Sequence, residues 1–452
     1  MKKTWIIWSI ALVLVLTGCK GADMQSTTPP ATEPTLSPTV NIGGTELDRE
    51  IETLDLTTMD YNLDTLVSVA PELQNVKTLE LGCTTLDIAQ VTQLSGVFPN
   101  ADVNYTVAFN GQSLPKDTTS LDMSAMPIGQ SAELARAVAL LPLLQSIDFV
   151  DEKGKCVFDL ETISQLDAIR LAAPNAKLEV NFQLFGKKVS SEDTEIKYYN
   201  TPIGNDGVKQ VRAVLPYLTS CSYFLLDGCG IDNEVLAQLR SDFPQTKIVW
   251  RVWLCRPSYG FAGIMKNYSH LTDTQLIRLP MNVQGSYCPV LAYCNEVKYV
   301  DFGHNPFIFD FSFLGSMPEL EVAIVAVTNC ADLTPLANCP KLEYLEVFSS
   351  DVTDLSPLAN CKELKHLNIS NLAITDLTPL EGLTKLERLR IVMCDQITKE
   401  QIQELQELLP DCQFLIEGWD PTGNGWRTDK NNLYVERYLL LRKQMGYDYA
   451  DF

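Results

Sequence analysis

From residue 297 to 397 the apolar positions fall into one repeated phrase. Asp310, Asp332, Asp354 and Asp376 are spaced 22 residues apart and open the runs DFSFL, DLTPL, DLSPL and DLTPL. Between them stand Leu342-x-x-Leu345-x-Val347, Leu364-x-x-Leu367-x-Ile369 and Leu386-x-x-Leu389-x-Ile391. The last pair in each triplet is two residues apart, the spacing of one face of a strand. Each phrase therefore predicts a short strand with these residues turned inward. Ile374, Leu377, Leu380 and Leu383 then close the coil. In Thr334-Pro335, Ser356-Pro357 and Thr378-Pro379 the hydroxyl residue suits a helix N-cap and the proline the first turn. Thr378 and Glu381 also have the spacing of a capping box. A single helical turn, 3₁₀ in character, is expected on the side opposite each strand. Such a unit cannot bury its apolar face alone, so stability must come from stacked neighbours.

A longer and weaker repeat occupies residues 47–256. Its signposts are Pro99-Asn-Ala, Pro174-Asn-Ala and Pro244-Gln-Thr, with Pro71, Pro142 and Pro216 as a second set. Three copies of strand, helix, strand, helix and longer strand are predicted. Ser131–Leu141 is one such helix. Val103–Phe109 runs into Asn110-Gly111, a hairpin signal, and Phe185-Gly186 holds the matching place in the next copy. By register Ile248, Trp250, Val252 and Leu254 point inward, while Val249, Arg251 and Trp253 point outward. Three separate small α/β domains remain an alternative for this region. Residues 257–296 connect the two kinds of repeat, which run on to residue 417. In 418–452, a turn-rich stretch, Gly418 to Trp426, precedes a helix expected from about Lys430 to Met445. Asp429 would cap its start and Gly446 its end, and it would cover the last turn of the array.

The 22-residue phrase matches the leucine-rich-repeat pattern, and its D-L-[ST]-P-L core resembles the internalin-like bacterial subclass. The resemblance covers five turns, about Val297 to Ile397. It implies an α/β fold: a right-handed solenoid with a curved parallel sheet, short helices on the convex side, and longer helix-containing repeats with hairpins in the N-terminal half. The family's usual Asn or Cys ladder position holds Ser350, Leu372 and Cys394 here, so a regular Asn ladder is not expected.

The N-terminus changes the picture of where the chain works. Lys2 and Lys3 precede an almost wholly apolar run from Trp5 to Leu16, too short to span a bilayer comfortably, which reads as a signal peptide over residues 1–18. Leu16-Thr17-Gly18-Cys19 resembles the bacterial lipobox. That resemblance implies a lipid on Cys19, hence an extracytoplasmic, membrane-anchored protein at the cell surface. Residues 19–46, rich in Thr and Pro, read as a tether.

Composition then narrows the function. With 35 Lys+Arg against 57 Asp+Glu, the net charge of −22 disfavours nucleic acid as a partner. Only three histidines exist, and no intact hydrolase, metalloprotease, P-loop or dinucleotide motif is present. No catalytic residue, metal site or cofactor is expected. Cys339 and Cys361 stand where the next turn has Leu383, and Cys330 where others have Val352 and Ile374, so buried free thiols are favoured over disulfides.

What remains is a binding surface. The residues between the inward leucines form columns on the concave face: Tyr299, Val322, Tyr344, His366, Arg388, and beside them Asp301, Ile324, Glu346, Asn368, Arg390. Phe348 belongs to a third column. Aromatic and arginine side chains dominate binding hot spots, and His366, Arg388 and Arg390 would make a basic island in an acidic protein. Tyr299, Tyr344, Glu346, Phe348, His366, Asn368, Arg388 and Arg390 are thus the expected contacts for a protein or glycan ligand outside the cell. Arg251 and Trp253 form a secondary patch suited to stacking on a sugar. The chain is expected to be a monomer, and an unrecognised enzyme is the remaining alternative.

Overall fold

The computed structural model describes residues 37–254 and 268–447. Cys19 and the signal run lie outside the described residues. The chain divides into two compact units, 1–106 and 107–452. The first opens with an antiparallel hairpin, Thr39–Ile42 with Thr45–Asp48. The expected tether therefore ends earlier than residue 46, because Val40 and Ile42 supply a buried face that the Thr/Pro run lacks. Strands Thr53–Asp55 and Thr78–Thr84 follow in parallel, with helices Leu63–Val69 and Ile88–Val97 after them in turn. Asn62 caps the first helix, and Asp87 with Gln90 forms a capping box on the second.

In the second unit the order strand, helix, strand, helix, strand, hairpin occurs twice. One copy runs from Ser120–Asp122 to the Asn181–Leu184/Lys187–Ser190 hairpin, the other from Glu195–Tyr199 to Arg251–Trp253/Ser269–Leu271. The three strands before each hairpin pair in parallel. Asn110-Gly111 and Phe185-Gly186 both have two successive left-handed residues (φ 47 and 75, 49 and 78), the primed turn that matches strand twist. Ile248, Trp250, Val252 and Leu254 are all buried, as their register requires; Val249, on the other face, is buried too.

From Leu276 the turns shorten. Strands Leu276–Arg278, Tyr299–Asp301, Val322–Ile324, Tyr344–Glu346, His366–Asn368, Arg388–Arg390 and Gln413–Leu415 form one parallel sheet in chain order. Between them lie 3₁₀ segments, among them Thr334–Asn338, Ser356–Asn360 and Thr378–Leu380, and finally the α-helix Lys399–Leu408. This is a leucine-rich-repeat coil. Val300, Ala323, Leu345, Leu367 and Leu389 stack in register and are fully buried, as are Leu336, Leu358 and Leu380 of the 3₁₀ segments. Each such leucine contributes roughly 1.5–3 kcal/mol by leaving water.

The capping chemistry differs from the sequence reading. Thr334, Ser356 and Thr378 are the first residues of their segments rather than N-caps, with proline second. The repeated aspartate does the capping: Asp332, Asp354 and Asp376 each accept the backbone N–H two residues on, at 2.8–2.9 Å. Asp55 and Asp122 do the same for Thr57 and Ser124 at the head of the longer repeats. Aspartate wins because its charge reaches the N–H through a two-residue turn. Glu381 is the C-cap of a segment too short for a capping box.

The ladder position is mixed. Asn305 accepts from Val283 N–H (2.8 Å) and donates to two carbonyls, and Thr328, Ser350 and Cys394 donate to nearby carbonyls. The eleven described cysteines outside the masked residues are free thiols. Cys339 and Cys361 are buried in the leucine slot with their thiols on the preceding turn's carbonyls, at 3.4 and 3.6 Å. Burial pushes them up to about 12 and about 11. One residue per turn is left-handed: His304, Val327, Ser349, Asn371 and Met393, with φ between 52 and 59.

Candidate functional site

The columns read from sequence are real. Tyr299, Val322, Tyr344, His366 and Arg388 are successive register partners, as are Asp301, Ile324, Glu346, Asn368 and Arg390. Their exposure is not what an open face would give. Tyr344, Glu346, Phe348, Asn368, Arg388 and Arg390 are all buried, Glu346, Asn368 and Arg390 completely. The chain's own residues 417–447 cover them.

This covering strap is held by side chains of the sheet. Arg390 donates to the carbonyls of Leu415 (3.1 Å), Glu417 (2.9 Å) and Asp420. Asn368 donates to Pro421 O (3.0 Å), and Arg388 to Gly425 O and Trp426 O. The guanidinium of Arg388 lies 4.8 Å from the centre of the Trp426 ring. The turn-rich backbone of the strap leaves carbonyls without secondary-structure partners, and the arginines satisfy them.

Glu346 is the hub. Its carboxylate accepts from Trp426 Nε1 (2.7 Å), from Arg427 Nε (3.0 Å) and Nη2, and from the Tyr344 hydroxyl. Burial acts to lower the Arg427 guanidinium, but the charge and hydrogen bonds of Glu346 more than offset it and hold it well above its ordinary value. Arg427 also stands over Phe348 and Tyr438, at 5.6 and 5.2 Å. Around this pair Val322, Ile324, Ala326, Tyr344, Phe348, Trp426, Leu441 and Met445 form a second hydrophobic core. Tyr447 closes the far end, its hydroxyl on Asp301 and its ring 4.6 Å from Arg278.

The expected basic island is therefore corrected. Arg388 and Arg390 are engaged by strap carbonyls, and burial, followed by the nearby Arg388 charge, pushes His366 down to about 4, so it is neutral. The strap helix is Glu436–Gln444, shorter than expected, because Asp429 caps a tight turn through Asn431 and Leu433 N–H groups (2.7 and 2.9 Å) instead. Gly446 takes the left-handed position after the helix, as read. Sequence reasoning missed Trp426, Arg427, Tyr438 and Tyr447. The signal was there: Glu346, Arg388 and Arg390 on one sheet face demand partners, and the terminal segment is rich in aromatics and arginine.

Tyr299 and His366 are only partly buried, with the His366 side chain 19% exposed. They line an open cavity of about 290 Å³ between the sheet and the Glu436–Gln444 helix, together with Tyr344, Arg388, Trp426, Tyr438 and the carboxylates Glu321, Glu343 and Glu387. Tyr299 donates to Glu321 (3.0 Å), and Arg437 pairs with Glu387 (3.0 Å). In the secondary patch Arg251 is clamped by Asp227 through Nε (2.9 Å) and Nη2 (2.8 Å), so it is not a free cation, while Trp253 is half-buried. Among the described residues no cluster of three metal-binding side chains occurs, and no helix is long and apolar enough to cross a membrane.

No known family profile and no curated protein matches the chain. Solved structures with similar repeats include internalin C2 of Listeria monocytogenes, at 19% identity over 63% of this chain and 92% of that one, with a TM-score of 0.29. A leucine-rich-repeat protein of Leptospira interrogans matches at 13% identity over 81% and 93%, TM-score 0.31. A second Listeria monocytogenes internalin matches at 17% over 79% and 89%, TM-score 0.26.

Proposed function

We propose that the protein is an extracytoplasmic lipoprotein, anchored through Cys19, that binds a protein ligand without catalysis. The observation that carries this reading is the 290 Å³ cavity on the sheet face, walled by aromatic rings and arginine between rigid elements. Tyr299 and His366 are the proposed contacts. Tyr344, Glu346, Phe348, Asn368, Arg388 and Arg390 act indirectly, by holding the strap that forms the opposite wall.

The test is capture from envelope and host-surface extracts on immobilised residues 20–452, beside a Tyr299→Ala/His366→Ala variant whose melting temperature is checked first. A protein band lost with a normally folded variant supports the cavity. Unchanged capture removes it. Polysaccharide retained by both proteins, and lost with Trp253→Ala, replaces the protein reading with a glycan one.

A further inference from the structure

Among the described residues the sheet ends without the cover that the sequence led one to expect. The terminal segment that should close the last turn lies across the sheet face instead, and among the described residues Gln413–Leu415 has a strand on one side only. Phe414 is the register partner of Leu389, yet it is half-exposed where Leu389 and its predecessors are fully buried. Leu408, Ile416 and Trp419 on the same turn are 55%, 44% and 81% exposed.

The backbone says what kind of group this edge accepts. In a parallel ladder alternate residues face opposite neighbours. Gln413 N–H bonds Glu387 O (2.7 Å) and Leu415 O accepts Ile391 N–H (3.3 Å), so these two face the sheet. The N–H and C=O of Phe414 therefore face outward. Beside them is an open cavity of about 650 Å³, lined by Phe414, Leu415, Ile416, Asn424, Lys430 and Arg390. Arg390 is fully buried, and among the described residues its Nε has no hydrogen-bond partner. The charge is one-sided as well. Glu400, Glu404, Glu407, Asp411 and Glu417 are exposed and in no ion pair among the described residues, against Lys399 and Lys430.

We propose that the open edge of Gln413–Leu415 docks an extended, apolar and basic segment of a partner protein as a further strand. The partner continues the strand-on-strand interface that the six preceding strands make with one another. Its backbone meets the Phe414 N–H and C=O, its apolar side chains cover Phe414, Ile416 and Trp419, and its lysines or arginines meet the carboxylates. A second copy of this chain would bring the same carboxylates face to face, which disfavours it.

The probe is a fluorescent peptide alternating Val and Lys, titrated into residues 20–452 by anisotropy, beside the same peptide N-methylated at alternate amides. Methylation removes the donors of one strand edge and leaves composition and charge intact. Weakening of at least about tenfold on methylation, and likewise in a Leu408→Lys/Ile416→Lys variant, is the expected result. Both substituted side chains are exposed, so folding is preserved, and Tyr299→Ala should leave this binding unchanged. Equal binding of the two peptides, or none, overturns the proposal. So does a concentration-dependent dimer that Leu408→Lys abolishes, which would assign the edge to a second copy.

Discussion

Replacing Arg427 by methionine isolates the Glu346–Arg427 pair, because methionine keeps much of the side chain's apolar stem. The substitution leaves the Glu346 carboxylate fully buried with only Trp426 Nε1 and the Tyr344 hydroxyl to answer it. Stranding one partner of a buried ion pair costs about 3–5 kcal/mol. Loss of the cation over Phe348 and Tyr438 adds about 1 kcal/mol. At roughly 2 °C per kcal/mol for a unit of this size, the melting temperature should fall by about 8–12 °C. Glu346→Met/Arg427→Met should recover most of this, since a well-packed apolar pair costs little or nothing relative to the ions it replaces. Calorimetry of the wild type, both single variants and the double variant completes the cycle. Hydrogen exchange over residues 418–447 reports whether the loss is in the strap. A double variant as unstable as the two singles added together would refute the argument, as would an Arg427→Met protein within about 1 kcal/mol of wild type.

Tyr344→Ala/Arg388→Ala should itself lower the melting temperature, by several degrees, because it removes a buried ring and the donors to Gly425 O and Trp426 O; a thermal melt decides. The Thr334 hydrogen bonds hold Asp332 below the usual carboxylate range, and the Ser356 hydrogen bonds do the same for Asp354. Their contribution is therefore full above the unfolded value of about 4 and is lost as pH falls below it. Denaturant midpoints from pH 6 to pH 2 should show wild type losing stability in that window, and Asp332→Ala losing less. Met393 is 43% exposed with φ 59, so Met393→Asn should raise stability by about 0.5–1 kcal/mol, as Asn371 holds the same place one turn earlier; a lower denaturant midpoint would contradict this. Among the described cysteines, Cys83 is exposed while Cys288, Cys294 and Cys330 are buried and pushed up to about 12. Alkylation mapped by mass spectrometry should mark Cys83 first under native conditions.

The coil was readable because its signal is local and repeated. A strand two residues apart in leucine, an aspartate every 22 residues and a proline in the 3₁₀ turn recur with little noise. The longer repeats and their hairpins were readable for the same reason, through Asn110-Gly111 and Phe185-Gly186. Register on the sheet face followed directly. Burial of that face did not, because Trp426 and Glu346 are 80 residues apart and no periodicity links them. A column holding glutamate, asparagine and two arginines reads as solvated until something is known to lie over it. The capping residue was misjudged for a smaller reason: Asp and Thr or Ser both suit a helix start, and only geometry decides which of two adjacent candidates reaches the N–H.

The strap also sets an order of events. Asp301 meets Tyr447 across 146 residues, so the sheet face stays uncovered until residues 418–447 have joined the fold. Earlier turns stack as they emerge, whereas the second core waits for a contact of very long sequence separation, the slowest kind to form. A chain lacking residues 418–447 would keep its turns and present Val322, Ile324, Tyr344 and Phe348 to water beside a Glu346 answered only by the Tyr344 hydroxyl. Loss of the strap would thus announce itself as newly exposed apolar surface, and its docking as the disappearance of that surface.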